Sequence, residues 1–132
     1  MKYAITSVRA LSLDAGLLLL RFLSGAAMLT HGWAKLQNVL QGKLDFGDPI
    51  GLGTEFSLYF AIFAEFACSL LLIIGFLTRV ALAALIVTMV VAFFIVHAND
   101  LFGVKELAFL YLSIFAALFL TGPGKYSLDY KM

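Results

Sequence analysis

Four long apolar stretches with few charged residues constrain this chain more than any other feature. They cover residues 13–35, 57–77, 79–97 and 106–121. A helix needs about 20 such residues to cross a hydrocarbon layer of roughly 30 Å, whereas the strands of a membrane barrel show alternation instead of unbroken runs. The sequence therefore predicts an all-α integral membrane protein, folded as a four-helix bundle.

The composition excludes several other classes of protein. Hydrophobic residues make up 63% of the chain and charged residues 13%, against roughly half and a quarter in a soluble domain. The net charge of +1 and the lack of a basic run give no nucleic acid a surface to bind. The single cysteine, Cys68, has no second thiol with which to form a disulfide inside the chain. With no repeat and no linker, we predict one membrane domain over residues 1–132.

The first connection is the only long one. Residues 36–56 contain the Gly, Asp and Pro residues typical of turns, and we predict an outer loop there. Arg21 interrupts the first apolar run, which then continues to Trp33. We therefore expect that run to stay in the membrane as a span and not to be removed as a signal peptide.

The distribution of basic residues predicts the orientation. Four spans place both termini on one face of the membrane, and cytoplasmic loops carry an excess of Lys and Arg. The terminal face has Lys2, Arg9, Arg79, Lys125 and Lys131, whereas the other face has Lys35, Lys43 and Lys105. This bias predicts that both termini are cytoplasmic, in the plasma (inner) membrane of a bacterium.

Two charged residues lie deep inside predicted spans. At about 1.5 Å per residue, Arg21 lies about 12 Å from the cytoplasmic end of the first span and Glu65 about 12 Å from the outer end of the second. Their backbones then differ in depth by only about 6 Å. Because a lone charge in mid-membrane costs something like 3 kcal/mol, we predict a buried ion pair between Arg21 and Glu65. The pair would serve either as a structural clamp or as the floor of a functional pocket.

Four other polar side chains are predicted at one level, the outer third of the bundle. On the first span a helical stripe runs through Arg21, Gly25, Met28, Gly32 and Lys35. On the fourth span Glu106 begins a stripe through Leu110, Ser113 and Ala117. If both stripes face inward, they form an outer polar pocket from His31, Lys35, His97 and Glu106. The alternative is that each residue has a local role: snorkelling for Lys35, loop hydrogen bonds for the histidines, and a helix-dipole contact for Glu106.

Three segments carry a resemblance to a known family. They are "LLLRFLSGAAMLTHGWAKL", "AEFACSLLLIIGFLTRVALAAL" and "ELAFLYLSIFAALFLTGPGKYSLDY". Together they resemble the DoxX family of small four-helix bacterial membrane proteins. On the cytoplasmic face the resemblance singles out Arg79, Gly122, Pro123 and Asp129 as structural residues. Gly122 and Pro123 end a helix, and we expect Asp129 to fold back towards Arg79.

The resemblance implies a function in broad terms. Members of the family are linked to quinone-coupled oxidation of sulfur compounds and to membrane oxidoreductase complexes in oxidative-stress defence. It therefore implies a subunit or accessory of a quinone-linked oxidoreductase, with a bound quinone and with electrons supplied by a partner subunit. The chain has no flavin, NAD or iron–sulfur motif, so we expect no cofactor held covalently or by motif. The alternative is a non-enzymatic scaffold, assembly factor or carrier of a small solute or protons, which as a carrier would need a homo-oligomer.

Two narrower hypotheses concern the histidines. His31 and His97 lie at one level on two spans, so paired haem ligation by them is geometrically conceivable. The same histidines with Asp45 or Asp48 contain ligand atoms for a metal ion, but the spacing is not typical of a metal site, and we predict none.

Overall fold

The computed structural model describes residues 12–43, 47–49 and 51–132, and everything described is helix or connection, without a strand. The helices are α1 (Leu13–Leu40), α2 (Thr54–Ile74), α3 (Thr78–Val96), α4 (Phe102–Thr121) and the short α5 (Leu128–Lys131). The first four are long and apolar enough to cross a membrane. They pack as a ring of antiparallel neighbours, with α1 against α2 and α4, and α3 against α2 and α4. The predicted all-α four-helix membrane fold is confirmed.

The bundle has two ends, which we name by the segments they carry. The loop end carries the connection between α1 and α2, and the tail end carries residues 122–132. The first loop is shorter than predicted, because α1 continues to Leu40 and ends where Gly42 adopts a φ of 77°. The cytoplasmic location of the tail end stays a prediction, and two of its supporting residues, Lys2 and Arg9, lie outside the described residues.

Glycines on α1 set the register between α1 and α2. A Cβ added at Gly32 would lie 2.5 Å from the backbone carbonyl carbon of Glu65 and 2.5 Å from the backbone nitrogen of Phe66. One at Gly25 would lie 2.7 Å from a side-chain carbon of Ile73. Small residues allow membrane helices to approach this closely. Gly32 therefore fixes Glu65 directly opposite the second half of α1.

We expect Gly32→Ala to destabilise the bundle by about 2 kcal/mol or more, because the added methyl group meets backbone atoms that cannot turn away. Gly16→Ala is the matched control, since Gly16 lies on the same helix and has nothing within 4 Å of the added atom. The free energy of unfolding of both variants can be measured in mixed detergent micelles. Equal stability of the two variants would contradict the register described here.

The predicted inward-facing stripe is buried on α1 but exposed on α4. On α1 the residues Arg21, Gly25, Met28 and Gly32 are buried, as the predicted stripe requires. On α4 the predicted stripe is wrong: its members Glu106, Leu110, Ser113 and Ala117 are all exposed. The buried residues of α4 are instead Ala108, Tyr111, Phe115 and Leu118. Bulky side chains fill the centre of the bundle, and the polar Glu106 and Ser113 point away from it.

The tail end is closed by the C-terminal residues. Asp129 accepts hydrogen bonds from the backbone N–H groups of Leu77 and Thr78, both at 2.9 Å, and from the Thr78 hydroxyl at 2.6 Å. Burial acts to raise the pKa of Asp129, but these hydrogen bonds, together with the positive charge of Arg21, outweigh it and hold the pKa below its usual range. Asp129 thus caps the start of α3.

The predicted contact of Asp129 with Arg79 is not formed. Asp129 does return to the turn before α3, but it bonds Thr78 and Leu77 there. The Arg79 Nε donates instead to the carbonyl of Phe119 at 3.0 Å, and its guanidinium lies beside Gly122. Arg79 thus supplies a donor to a carbonyl at the end of α4, whereas Asp129 supplies an acceptor at the start of α3.

Candidate functional site

Arg21 is the largest fully buried side chain in the described part of the chain, with 1% of its surface exposed. Its guanidinium donates to four backbone carbonyls, at 2.7 to 3.1 Å: Leu72, Ile73, Pro123 and Tyr126. The first two belong to the last turn of α2, where the helix supplies few N–H donors: Leu72 accepts in addition only from the backbone N–H of Gly75, at 3.2 Å. Four of the five N–H donors of the guanidinium are therefore used. Arg21 joins the end of α2 to the C-terminal tail.

The predicted ion pair between Arg21 and Glu65 is wrong. Gly32 lies against the backbone of Glu65, and Arg21 is eleven residues earlier on α1, which places the backbones of Arg21 and Glu65 about 16 Å apart along the helix axis. The Arg21 guanidinium is bound instead to carbonyls at the end of α2 and in the tail. The depth estimate took α1 and α2 to end at the same level, whereas α1 begins about two turns beyond the end of α2, because Arg21 already lies beside the last α2 carbonyls, those of Leu72 and Ile73. Asp14, in the first turn of α1, instead accepts a hydrogen bond from the backbone N–H of Lys125 in the tail.

The partner of Glu65 is Lys35. The Lys35 Nζ lies 2.7 Å from the Glu65 Oε1, and the side chains are 27% and 5% exposed. Lys35 therefore does not snorkel freely to the membrane surface, as one sequence-based alternative held. The ammonium reaches back into the bundle, where it compensates a carboxylate that would otherwise be costly to bury.

Wide helical turns surround this ion pair. Residues Phe63–Cys68 of α2, which include Glu65, form a π-helical turn, and so do residues Ala92–Val96 at the end of α3, just before His97. A π-helical turn inserts an extra residue and redirects the side chains near it, and such turns occur frequently at functional sites. Two of them at one level place Glu65 and His97 beside the same space.

That space comprises two cavities. The polar cavity, of about 220 Å³, lies among α1, α3 and α4, and its polar lining residues are His31, Lys35, Glu65, His97 and Tyr111. His31 and Tyr111 meet edge to face, with ring centroids 6.0 Å apart. Of the predicted outer pocket, the structure brings together His31, Lys35 and His97, whereas Glu106 is exposed and lines neither cavity.

The apolar cavity, of about 260 Å³, lies between α2 and α3. Its walls are mainly apolar, and Pro49 of the loop lies at its loop end. The two cavities share five lining residues: Lys35, Glu65, Met89, Ala92 and His97. The ion pair thus forms a common wall between a polar space and an apolar one.

The chain is similar in sequence to a known protein family and to one of its members. The sequence profile of the DoxX family matches residues 16–98. The chain belongs to the DoxX family. A relative in Escherichia coli (strain K12), the inner membrane protein YqjF, is 36% identical over 121 residues, which cover 88% of this chain and 91% of that protein. No solved structure matches the chain.

The DoxX match contains the ion pair and all five residues shared by the two cavities. It ends before α4, so Tyr111 and the C-terminal tail lie outside it. The family assignment and the four spans confirm the predicted location as a multi-pass membrane protein, and the relative is named as a protein of the inner membrane. The tail sequence from Gly122 to Asp129, on which the resemblance partly rested, is explained by its contacts with Arg21 and Thr78.

The loop end of this DoxX protein contains a second pair of titratable side chains. The His97 Nδ1 lies 2.8 Å from the Asp100 Oδ2, so Nε2 is the ring nitrogen that can meet a ligand in the cavities. Among the described residues, no three His, Cys, Asp or Glu side chains are close enough to hold a metal ion. Of the two aspartates considered as metal ligands, Asp48 accepts a hydrogen bond from the backbone N–H of Gly53, and Asp45 lies outside the described residues.

Proposed function

We propose that this DoxX-family protein binds the headgroup of a quinone at its loop end and acts as an accessory subunit of a quinone-linked oxidoreductase in the inner membrane. The observation that carries the proposal is the Lys35–Glu65 pair, at 2.7 Å, between the polar and the apolar cavity. A quinone accepts two electrons and two protons. The electrons would come from a partner subunit of sulfur or oxidative-stress metabolism, since the chain carries no motif for a redox cofactor of its own.

The donor set fits a quinone headgroup. The two carbonyl oxygens of a quinone need hydrogen-bond donors, and the Lys35 ammonium has three N–H groups, one of which is on Glu65. His31 and His97 add ring nitrogens, and Tyr111 adds a hydroxyl, around the same cavity. Glu65 and His97 add a carboxylate and an imidazole beside the same cavity, the side-chain types that proteins use most often to transfer protons to a bound ligand.

The closed core favours a binding site over a carrier. From the level of Glu65 towards the tail end, the centre of the bundle is filled by fully buried side chains: Cys68, Leu72, Leu85, Phe115 and Leu118. The cavities therefore stop at the ion pair, and a solute or proton has no described path onward to the tail end. A scaffold without a ligand is the alternative, and it predicts that quinones do not bind.

Fluorescence of the single tryptophan tests the proposal directly. Trp33 lies on α1 between His31 and Lys35, which line the polar cavity, and stacks on Phe66 on the outer surface, with ring centroids 6.1 Å apart. A quinone in the polar cavity therefore lies about one helix diameter, roughly 10 Å, from the fluorophore. We expect short-chain ubiquinone and menaquinone analogues to quench Trp33 in a saturable way in purified protein. Quenching that only rises linearly, as for a free tryptophan derivative in the same micelles, would contradict the proposal.

Two variants test whether the quinone binds beside the Lys35–Glu65 ion pair. Glu65→Gln removes the carboxylate while keeping the shape, so the position of Lys35 is no longer fixed and we expect affinity to fall at least about tenfold. Glu106→Gln is the matched control, because Glu106 lies at the same end but lines neither cavity. Equal affinity of the two variants would place the quinone elsewhere.

A further inference from the structure

A quinone headgroup bound in the polar cavity leaves the apolar cavity empty. Its inner end is formed by Lys35, Glu65 and His97, and its remaining walls include Phe60, Ala61 and Val91. Two hydroxyls in these walls already have acceptors, since Thr88 donates to the carbonyl of Ala84 at 2.9 Å and Ser57 donates to the Asp48 carboxylate at 3.5 Å. Charged groups thus occur at one end only. A ligand that fills this cavity must itself be apolar along most of its length and polar at the end near Glu65.

The apolar cavity faces the side of the bundle. Three of its lining residues, Phe56, Val87 and Val96, are exposed on the outer surface of α2 and α3, the surface that a membrane-spanning bundle turns towards lipid. At the loop end, by contrast, Pro49 covers it, and Asp48 holds this part of the loop by accepting a hydrogen bond from the backbone N–H of Gly53 at 3.0 Å. Access from lipid is therefore more direct than access from water.

The sizes of the two cavities suggest one ligand that occupies both. Each cavity, at about 260 and 220 Å³, is below the roughly 300 Å³ at which pockets for small organic molecules begin. Together they fall inside that range, and they share the residues of the ion pair. A single ligand with a headgroup in the polar cavity and an attached apolar chain in the apolar cavity would fill both cavities.

We infer that the apolar cavity holds the hydrocarbon chain of the quinone, so that the site selects long-chain quinones dissolved in the membrane over headgroups without a chain. The inference rests on the proposed function and adds the ligand class and the route by which it arrives. Val91, half-buried in the wall of the apolar cavity and absent from the polar one, becomes a residue that sets specificity for the chain.

The test compares two quinones in three forms of the protein. One quinone carries only the headgroup, the other has the same headgroup with a ten-carbon chain, and both are titrated by quenching of Trp33. The protein is wild type, Val91→Phe, which fills the apolar cavity, or Val90→Phe, which adds the same ring on a neighbouring exposed residue outside both cavities. The ratio of the two affinities is compared between forms, so partition into the micelle cancels.

We expect the wild type and Val90→Phe to prefer the long-chain quinone, and Val91→Phe to lose that preference by at least about tenfold while it still binds the headgroup. An unchanged preference in Val91→Phe, or no preference in the wild type, would overturn the inference and leave the proposed function intact. Failure of the headgroup to bind wild type would instead overturn the proposed function. If Val91→Phe does not fold, Val87→Phe, at an exposed residue of the same wall, takes its place with the same expected loss.

Discussion

Replacing Arg21 by methionine is expected to cost at least about 4 kcal/mol of unfolding free energy, because four backbone carbonyls lose a charged donor. Methionine fills much of the space but donates no hydrogen bond. The carbonyls of Leu72 and Ile73 end α2, and those of Pro123 and Tyr126 belong to the tail, so both segments lose their attachment together. Unfolding in mixed micelles and limited proteolysis of the tail measure the two effects.

Two further variants separate the geometry of the guanidinium from its charge. Arg21→Lys keeps the charge but has three donors on a single nitrogen, so we expect it to recover only part of the lost stability. Arg79→Met is the control at the same end of the bundle, since the Arg79 side chain makes an exposed hydrogen bond to one carbonyl, that of Phe119. If Arg21→Met loses no more stability than Arg79→Met and its tail stays protected from proteolysis, Arg21 does not join α2 to the tail as described here.

Loss of Lys35 is the second large effect we expect. Lys35→Met leaves the Glu65 carboxylate, 5% exposed, without its cation, and breaking a buried pair in this way costs about 3 kcal/mol. Lys105→Met is the matched control: Lys105 is also half-buried near the loop end, but its ammonium lies 4.5 Å from the centre of the Phe93 ring and pairs with no carboxylate among the described residues. We expect that variant to lose less than about 1 kcal/mol. Equal losses would show that Glu65 does not depend on Lys35.

The sequence was sufficient for the fold because hydrocarbon thickness fixes span length. The long apolar runs gave four helices close to their observed positions, and the polar residues of α1 predicted its inward face correctly. The inward face of α4 was wrong for a physical reason. Lipid and protein core are both apolar, so a uniformly apolar helix carries little periodicity, and Glu106 and Ser113 do not mark its buried side. Tyr111, a hydroxyl in mid-span, was the signal on α4 that pointed inward.

The site was predicted in part. His31, Lys35 and His97 share a cavity as expected, and Glu65 is the buried acid, but its partner was misassigned because Arg21 was placed at the wrong depth. The glycines of α1 contained the correct information: Gly32 marks where α1 and α2 touch, and Lys35 is one turn from that point. The π-helical turns have no sequence signal, since "FAEFAC" and "AFFIV" read as ordinary apolar helix. The cavities depend on those turns and could not be predicted either.

Double-mutant cycles test most directly whether Glu65 is compensated by Lys35 and not by Arg21. Unfolding free energies of Lys35→Met, Glu65→Gln and their combination give one coupling energy, and those of Arg21→Met, Glu65→Gln and their combination give the other. We expect about 2 kcal/mol or more between Lys35 and Glu65, and less than about 0.5 kcal/mol between Arg21 and Glu65, which share no contact. The reverse order of these two energies would contradict the site described here and remove the basis for a quinone at its centre.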